Sequence, residues 1–287
     1  MKTYKGIDLH LHTTASDGSD TPSELIRKAR ERGLGVISIT DHDTIAGSLE
    51  AIALPFDGVK VITGIEFSCT VPGDGGFDCH ILGYGFDPEH PAFLGAIAHG
   101  REMRLYKLES RLVYLKKHFD IEFTDDEIAW LHSLNSVARP HLARLIIKRG
   151  LASDVADAFD KYLKVGGFPD DRIDAKEAID AIELSGGVSV YAHPLGGERE
   201  VRLTPCEVKK RILALKEQGI DGIEAIYSRY DESDEQLLLN IADELSLLVS
   251  AGSDYHGENK TVRLGELSSD GSFSRAECIS ILERLKK

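Results

Sequence analysis

Cysteine is scarce in this sequence, and long apolar runs are missing from it. The four cysteines (Cys69, Cys79, Cys206 and Cys278) form no Cys-x-x-Cys pair, a pattern typical of thiols in a reducing cytoplasm rather than of a disulfide framework. No apolar run approaches the roughly 20 residues of a membrane-spanning helix. The first residues, Met-Lys-Thr-Tyr-Lys, lack the apolar stretch of a signal peptide. We therefore expect a cytoplasmic protein without a membrane partner.

Basic residues are also fewer than acidic residues in this sequence. The 287 residues include 34 Lys and Arg against 48 Asp and Glu, which makes a net charge of −14. This charge argues against binding of long nucleic acids or anionic membranes, because such binding depends on neutralising many phosphates. A small anionic substrate is not excluded, because bound metal ions can reverse the local field.

Seven short apolar runs have the character of strands in a parallel sheet, since they are apolar on both faces rather than alternating. Amphipathic stretches separate several of them. Thr21-Pro-Ser-Glu24, Thr204-Pro-Cys-Glu207 and Ser274-Arg-Ala-Glu277 are capping boxes that start helices. This alternation predicts an α/β fold with a parallel sheet. The predicted strands are residues 4–10, 35–40, 59–66, 79–84, 187–192, 222–227 and 247–251.

One segment, from about residue 88 to residue 174, shows no convincing strand. Helical stretches are predicted there at residues 94–118, 124–134, 140–149 and 153–163, and Gly150 is a plausible stop for the third. We therefore predict two parts. Residues 1–88 and 175–287 form the α/β domain, and residues 89–174 form a helical insertion after the fourth strand that covers the site.

Histidines and carboxylates follow the ends of the predicted strands. Each alone is more simply a core or loop residue, but six of the eleven histidines fall on what would be one face of the sheet. Active sites of α/β barrels are assembled at that face. Imidazole and carboxylate ligands suit Zn, Mn or Fe, so the pattern predicts a metal site. The candidate ligands are His10, His12, Asp17, His42, Glu66, His80, His193, Asp254 and His256.

Three aspartates lie next to these candidates. Asp8 shares a strand face with His10, and Asp41 and Asp43 flank His42. They would either fix the orientation of the imidazoles or act as ordinary loop and capping residues.

In their order and spacing these residues resemble the motifs of the PHP (polymerase and histidinol phosphatase) family. The motifs are His10-Leu-His12, Asp17-Gly, Thr-Asp-His42-Asp-Thr, Gly-Ile-Glu66, His80-Ile-Leu-Gly, Ala-His193-Pro and Ser-Asp254-Tyr-His256. The resemblance implies a distorted (β/α)7 TIM-like barrel and three divalent metal ions (Mn, Fe or Zn), of which we favour Mn. It assigns one metal to His10, His12, Glu66 and Asp254. A second would share Glu66 and add His80 and His193, and a third would take Asp17, His42 and His256.

Such a cluster would hydrolyse phosphate esters with a metal-bound water whose pKa falls towards about 7. The sequence contains neither a Gly-x-Ser-x-Gly elbow nor a P-loop, so we expect direct attack by water. His193 or His256 would protonate the leaving group, although a histidine cannot easily be ligand and acid at once.

The predicted insertion contains Arg139-Pro-His141 at a helix start, where arginine and backbone donors favour a phosphate. This feature resembles the PHP group that removes the 3′-phosphate from nucleoside 3′,5′-bisphosphates (pAp to AMP), with relatives that trim short RNA from its 5′ end. Arg139 and His141, with Arg199 as a weaker candidate, would hold the second phosphate of a small nucleotide. They would otherwise be ordinary surface residues.

Several alternatives remain open from the sequence. A histidinol-phosphate phosphatase would need anionic groups for the substrate amine, which Asp125, Asp126 and Glu127 would supply. A deoxyribonuclease-type PHP domain would need an extended basic groove. Two alternatives belong to other functional classes. One is a non-catalytic PHP interaction module, and the other is a metal-dependent amidohydrolase of another barrel family. The oligomeric state is not predicted.

Overall fold

A mixed β-sheet runs through the computed structural model, which describes residues 6–55, 58–164, 172–198, 200–267 and 279–285. In space the strands follow the order β1-β2-β3-β4-β6-β7-β8, and β5 pairs with β3. Strands such as β1, β2, β6 and β7 are buried along their whole length, so the sheet has apolar cores on both faces. The strands are β1 Ile7–Leu11, β2 Val36–Ile39, β3 Lys60–Val71, β4 Phe77–Tyr84, β5 Ile173–Asp174, β6 Val188–Tyr191, β7 Gly222–Tyr227 and β8 Leu248–Gly252.

The pairing confirms the predicted parallel sheet except at β4. β1–β2, β2–β3, β6–β7 and β7–β8 are parallel, whereas β4 is antiparallel to both β3 and β6. The cause is the short connection Pro-Gly-Asp-Gly-Gly after Val71, in which Gly73 and Gly75 adopt φ values of 104° and 79°. A parallel crossover needs a dozen or more residues, so this turn permits only a hairpin.

All seven predicted strands are present, but one of them is longer than predicted and the sheet contains one additional strand. β3 continues beyond Glu66 to Val71 because it pairs with β4 along its second half. The short β5 lies in the segment predicted to have no strand, and it pairs with Cys69 and Thr70. Two residues are too few to give a sequence pattern.

The closed barrel is not confirmed. Within the described residues, pairing between the two ends of the sheet is limited to an isolated bridge of Leu11 with Tyr255, beyond the end of β8. The His12 amide donates to Tyr255 O and the Asp254 amide donates to His10 O, both at 2.9 Å. These bonds bring the residues after β8 against β1 without closing the sheet by a strand pair.

Helices flank the sheet and fill the segment between β4 and β5. Capping boxes at Thr21, Thr124 and Thr204 start three of them, and the third predicted box, at Ser274, lies outside the described residues. No helix in the described ranges is long and apolar enough to cross a membrane. The helices are α1 Pro22–Glu31, α2 Ala46–Ala53, α3 Pro91–Phe119, α4 Asp125–Ser133, α5 Arg139–Lys148, α6 Val155–Ala158, α7 Ala175–Leu184, α8 Pro205–Glu217, α9 Glu232–Leu245 and α10 Ile281–Arg284, with a π-helix at Phe159–Leu163 and a 3-10 turn at Gly257–Asn259.

The predicted helical insertion corresponds to α3–α6 and the π-helix. These helices bury an apolar cluster of their own, which includes Leu108, Leu115, Leu131, Leu142 and Ile146. The division of the chain into residues 1–88 with 175–287 and residues 89–174 stays a prediction.

The contact between β8 and β1 depends on Gly252. A Cβ at this position would lie 2.1 Å from His10 Cβ and 2.9 Å from the His10 amide nitrogen. We expect Gly252→Ala to lower the free energy of unfolding by about 1–3 kcal/mol, because two strands would have to separate. Urea denaturation followed by circular dichroism measures this change.

Gly95→Ala is the matched control for that experiment. Gly95 is exposed in α3, and a Cβ there would meet nothing within 4 Å. Alanine in an exposed helix is better than glycine by up to about 1 kcal/mol, so this variant should be as stable as the parent or more so. Equal stability of both variants would contradict the close approach of β1 and β8.

Candidate metal centre

The carboxylate of Glu66 lies at the centre of a cluster of imidazoles. Glu66 is 1 % exposed, and a nitrogen of each of five histidines lies 2.9–3.3 Å from one of its oxygens. The nitrogens are Nε2 of His10, His12 and His193 and Nδ1 of His42 and His80. One buried anion therefore contacts side chains from five different places in the chain.

The remaining predicted ligands complete the same network. Asp254 Oδ1 lies 3.6 Å from His10 Nε2 and 3.5 Å from His12 Nε2. Asp17 lies 3.2 Å from His256 Nε2 and 3.9 Å from His42 Nε2. The structure thus brings all nine predicted residues together.

One of the nine is not where the sequence pattern places it. Glu66 is expected at the end of the third strand but is in the middle of β3, at the point where a bridge joins it to His42. His80 is expected inside the fourth strand and is in the middle of β4, opposite Ser68. They reach the cluster because the β3–β4 hairpin extends past the ends of the parallel strands.

The chemistry of the cluster fits bound cations. Among the described residues, His10 Nε2, His12 Nε2, His42 Nδ1 and Glu66 Oε2 are buried, and their close contacts lack the geometry of hydrogen bonds. A buried polar atom left unsatisfied costs roughly 1–3 kcal/mol, and the lone pairs of these atoms are the ones that a cation would use. Three overlapping groups have ligand atoms within 4.8 Å of one another: His12, Asp17, His42 and His256; His10, His12 and Glu66; and His42, Glu66 and His80.

The local electrostatics prepare several groups in the form that binds cations. Burial alone would raise the pKa of Glu66, but the imidazoles of His42 and His10 reverse this and hold it well below its ordinary value. Burial, with the neighbouring His256, lowers the pKa of His12 well below its ordinary value. A carboxylate and a neutral imidazole are the forms that bind metals.

Three histidines differ from these groups. Burial would lower the pKa of His10 and of His42, but Glu224 and Glu66 raise the pKa of His10 well above its ordinary value and Glu66 raises that of His42. His193 behaves in the same way. Burial lowers its pKa, but the hydrogen bond to Glu66 and the charge of Glu200 raise it to about 9. A cation entering the cluster would therefore displace a proton from this ring, and metal affinity should fall as the pH falls.

Of the two roles left open for the three aspartates, the structure favours that of loop residues, because they bind backbone and hydroxyl groups of the loops. Asp8 accepts hydrogen bonds from the Ser253 amide and hydroxyl and from the Gly265 amide. Asp41 accepts from Thr13 and Ser16. These carboxylates fix the loops that carry the ligands.

Asp43 has the same kind of role in another loop. It accepts from the Ser68 amide and from Arg104, and so ties the loop after β2 to β3 and α3.

Two further carboxylates, which the sequence did not predict, lie beside ligand rings: Glu200 Oε2 is 3.6 Å from His193 Nδ1, and Glu224 makes the shorter contact. Glu224 Oε1 lies 3.0 Å from His10 Nδ1. Its only sequence signal was an acidic residue inside a run that otherwise reads as a buried strand. Lys260 and Tyr227 were also missed; both donate to Asp254 Oδ2, at 2.7 and 2.9 Å.

A cavity of about 420 Å³ opens over the cluster. The cluster forms its floor, while basic side chains stand around it, several of them from the helices between β4 and β5. These side chains are Arg104, Lys107, Arg111, Arg139, Lys164, Arg172 and Lys260. The cavity thus collects basic side chains above a floor of carboxylates and imidazoles, although Asp43, Glu198 and Glu200 line it as well.

The predicted substrate-binding residues fall in different places. Arg139 lines the cavity, and its guanidinium lies 5.0 Å from the centre of the Phe159 ring. His141 is buried and its Nδ1 accepts a hydrogen bond from the Ala138 amide, which caps the start of α5. Arg199 lies outside the described residues.

Comparison with known proteins settles the family of this chain. Residues 8–183, more than half of the sequence, match the PHP domain family. The chain belongs to the PHP family. It is accordingly a metal-dependent phosphoesterase, a hydrolase that acts on phosphoester bonds, with a cluster of imidazoles and carboxylates able to bind metal.

The relatives of this PHP protein are similar over most of their length. A 5′-3′ exoribonuclease of Haemophilus influenzae is 34% identical over 91% of this chain and 94% of its own. A 3′,5′-nucleoside bisphosphate phosphatase of Chromobacterium violaceum is 32% identical over 87% of each chain. A solved structure from Bifidobacterium adolescentis, described as a metal-dependent phosphoesterase, is 31% identical over 94% of each chain, with a TM-score of 0.78.

His42 tests the cluster because it touches both Glu66 and Asp17 while its side chain is 13% exposed. We expect His42→Ala to lower metal affinity by more than about 100-fold, since loss of even an outer partner costs 10–100-fold, and to abolish most turnover. Elemental analysis after dialysis measures the metal content, and thermal unfolding of the metal-free proteins checks the fold.

The matched control is His99→Ala. His99 lies in α3, is 42% exposed and pairs with Glu177 away from the cluster, so its loss should leave metal content and turnover unchanged. Wild-type turnover in the His42 variant would contradict the assignment of His42 to the centre.

Proposed function

We propose that this PHP enzyme removes the 3′-phosphate from nucleoside 3′,5′-bisphosphates, for example pAp to AMP. The observation that carries the proposal is that one cavity combines a metal-binding floor with a basic wall. The basic wall is the set of lining arginines and lysines named above, chiefly Arg104, Lys107, Arg111 and Arg139. A substrate with two separate phosphates would place one over the floor and one against the wall. The name of the Chromobacterium relative agrees with this substrate.

The proposed ligand sets are those given above for three divalent ions, with Mn favoured. When bound, such ions supply an activated water and positive charge for the phosphoryl oxygens. The three overlapping groups of ligand atoms support three positions. Cysteine is absent from these groups, and a set of imidazole and carboxylate ligands suits Mn, Fe and Zn.

The wall would bind the second phosphate through guanidinium and ammonium groups. Arg104, Lys107 and Arg111 lie three and four residues apart in α3, so they share one helix face. Arg104 pairs with Asp43, and the guanidinium of Arg139 lines the cavity 5.0 Å from the centre of the Phe159 ring. We therefore assign the main contact with the second phosphate to Arg139, because a planar guanidinium can bind phosphate through two parallel hydrogen bonds.

The general acid that protonates the leaving oxygen is proposed to be either His193 or His256. Nε2 of His193 faces Glu66 at 3.3 Å, and Nε2 of His256 faces Asp17 at 3.2 Å. The other nitrogen of each ring faces Glu200 and Asp254 O. Either ring would have to leave its partner in the cluster to reach a leaving group.

Short 5′-phosphorylated RNA is the second candidate substrate. The row of basic side chains along α3 offers contacts to more than one phosphate, and the Haemophilus relative is named as an exoribonuclease. The net charge of −14 opposes longer nucleic acids, whose phosphates would approach acidic surface. A cytoplasmic location is also proposed, because the pattern of the cysteines is typical of thiols in a reducing cytoplasm.

Release of phosphate or of a mononucleotide from a panel of substrates tests the proposal. Mn-reconstituted protein would be given adenosine 3′,5′-bisphosphate, a 5′-phosphorylated dinucleotide, histidinol phosphate and an aryl phosphate. We expect the bisphosphate to have the highest kcat/KM and AMP to be its product. Preference for histidinol phosphate or for the dinucleotide would contradict the proposed substrate while leaving the phosphoesterase assignment in place.

Arg139→Ala separates the two phosphate sites in the same assay. Loss of a charge-assisted hydrogen bond costs about 1.5–3 kcal/mol, so kcat/KM for the bisphosphate should fall by about 10–100-fold with little change for the aryl phosphate. Arg144→Ala is the control, because Arg144 is exposed in the same helix. Equal losses on both substrates would remove Arg139 from the second phosphate site.

A further inference from the structure

Glu224 is a fully buried carboxylate that joins two of the proposed ligand-bearing segments. It lies in β7, its exposure is 0%, and both of its oxygens accept hydrogen bonds. Oε1 accepts from His10 Nδ1 at 3.0 Å, and Oε2 accepts from the His193 amide at 2.9 Å. We infer that Glu224 is a positioning residue of the metal centre, one that sets the tautomer of His10 and holds the turn that carries His193.

The contact with His10 decides which nitrogen is available to a cation. A carboxylate can only accept hydrogen bonds, so Nδ1 of His10 must carry the hydrogen. Nε2 points at Glu66 and Asp254, at 3.3 and 3.6 Å, and is the nitrogen that would offer its lone pair to a cation in the cluster. The partner of one imidazole nitrogen thus fixes the role of the other.

The contact with His193 holds a backbone that would otherwise relax. His193 has a φ of 32°, a conformation that residues other than glycine rarely adopt. The Glu224 carboxylate accepts the amide hydrogen of that same residue, and His193 Nε2 lies 3.3 Å from Glu66. Such strain persists where neighbouring groups determine the conformation.

The fold leaves room for this carboxylate. A Cβ on Gly252 would lie 2.7 Å from Glu224 Oε1 and 2.1 Å from His10 Cβ. The glycine therefore allows the carboxylate and the imidazole to meet between β7, β8 and β1.

Glutamine cannot replace Glu224, although it has the same size. Both contacts need an acceptor, and a glutamine side chain has one oxygen and one NH2 donor group. With its oxygen on the His193 amide, the NH2 group would force His10 to protonate Nε2. With its oxygen on His10, the NH2 group would face the His193 N–H and open the turn.

The test is the affinity of the intact protein for Mn²⁺ alone, measured by equilibrium dialysis and elemental analysis. We expect Glu224→Gln to fold with an unchanged circular dichroism spectrum and to bind Mn²⁺ about 10–100-fold more weakly. Wild-type affinity in this variant would overturn the inference.

Asp221→Asn is the matched control. Asp221 immediately precedes β7 and accepts two hydrogen bonds, from the amide and hydroxyl of Ser189 at 2.9 and 3.1 Å. It thus makes the same number of contacts to a neighbouring strand without touching a proposed ligand. Its variant should keep wild-type affinity, and an equal loss in both variants would reduce Glu224 to a structural role.

A second measurement needs no variant. Nitrogen-15 NMR of the histidine side chains in the Zn²⁺-loaded wild-type protein reports which nitrogen of His10 carries hydrogen. Hydrogen on Nδ1 supports the inference, and a bare Nδ1 overturns it even if Glu224→Gln fails to fold.

The inference rests on the proposed metal site but is separable from the proposed substrate. If wild-type protein binds Mn²⁺ and the Glu224 variant does not, the inference stands even when the bisphosphate is not hydrolysed. If the bisphosphate is hydrolysed and the variant binds Mn²⁺ as the wild type does, the inference falls and the proposed function stands.

Discussion

The contact of one buried carboxylate with five imidazoles is the constraint on which the rest of the structure depends. An ionised carboxylate away from water is stable only when it is paired and hydrogen-bonded. Glu66 meets this condition through histidines from β1, β4 and the segments after β1, β2 and β6. Four polar atoms of the cluster still lack hydrogen-bond partners within the described residues. Divalent cations would satisfy those atoms and screen the imidazoles from one another.

The second organising feature is a local concentration of basic side chains. The whole chain is strongly acidic, yet the cavity over the cluster is lined by guanidinium and ammonium groups, several of them from α3 and α5. The net charge of the chain opposes binding of long polyanions, whereas the basic side chains of a few helices would bind a small phosphorylated substrate in the cavity. A cavity with a metal-binding floor and a basic wall suits a small substrate with more than one phosphate.

Much of this arrangement was predictable from the sequence because it rests on rare residue types. Histidines and carboxylates at the ends of apolar runs or within them identified the nine residues that the structure brings together. The resemblance of their motifs to the PHP family indicated the family and the class of reaction, but it also implied a closed barrel that is not confirmed. The seven strand positions were predictable from apolar runs, and the starts of two helices from the capping boxes at Thr21 and Thr204.

The rest depended on contacts that no local pattern specifies. The direction of β4 was indicated by the short turn around Gly73 and Gly75. The apolar run itself did not indicate it, because a buried strand has the same composition whether it is parallel or antiparallel. Asp8 and Asp41 are close to histidines in sequence, yet they bond to backbone and hydroxyl groups of other loops. Glu224 is 214 residues from the imidazole that it contacts, and only the packing of β7 and β8 against β1 joins them.

The most direct measurement is anomalous diffraction from crystals of the Mn-reconstituted protein. The account predicts three manganese peaks inside the cluster, with Glu66 contacting two of the ions and the remaining eight residues distributed among the three. A cluster without anomalous peaks, or peaks whose ligands leave out Glu66, would contradict it.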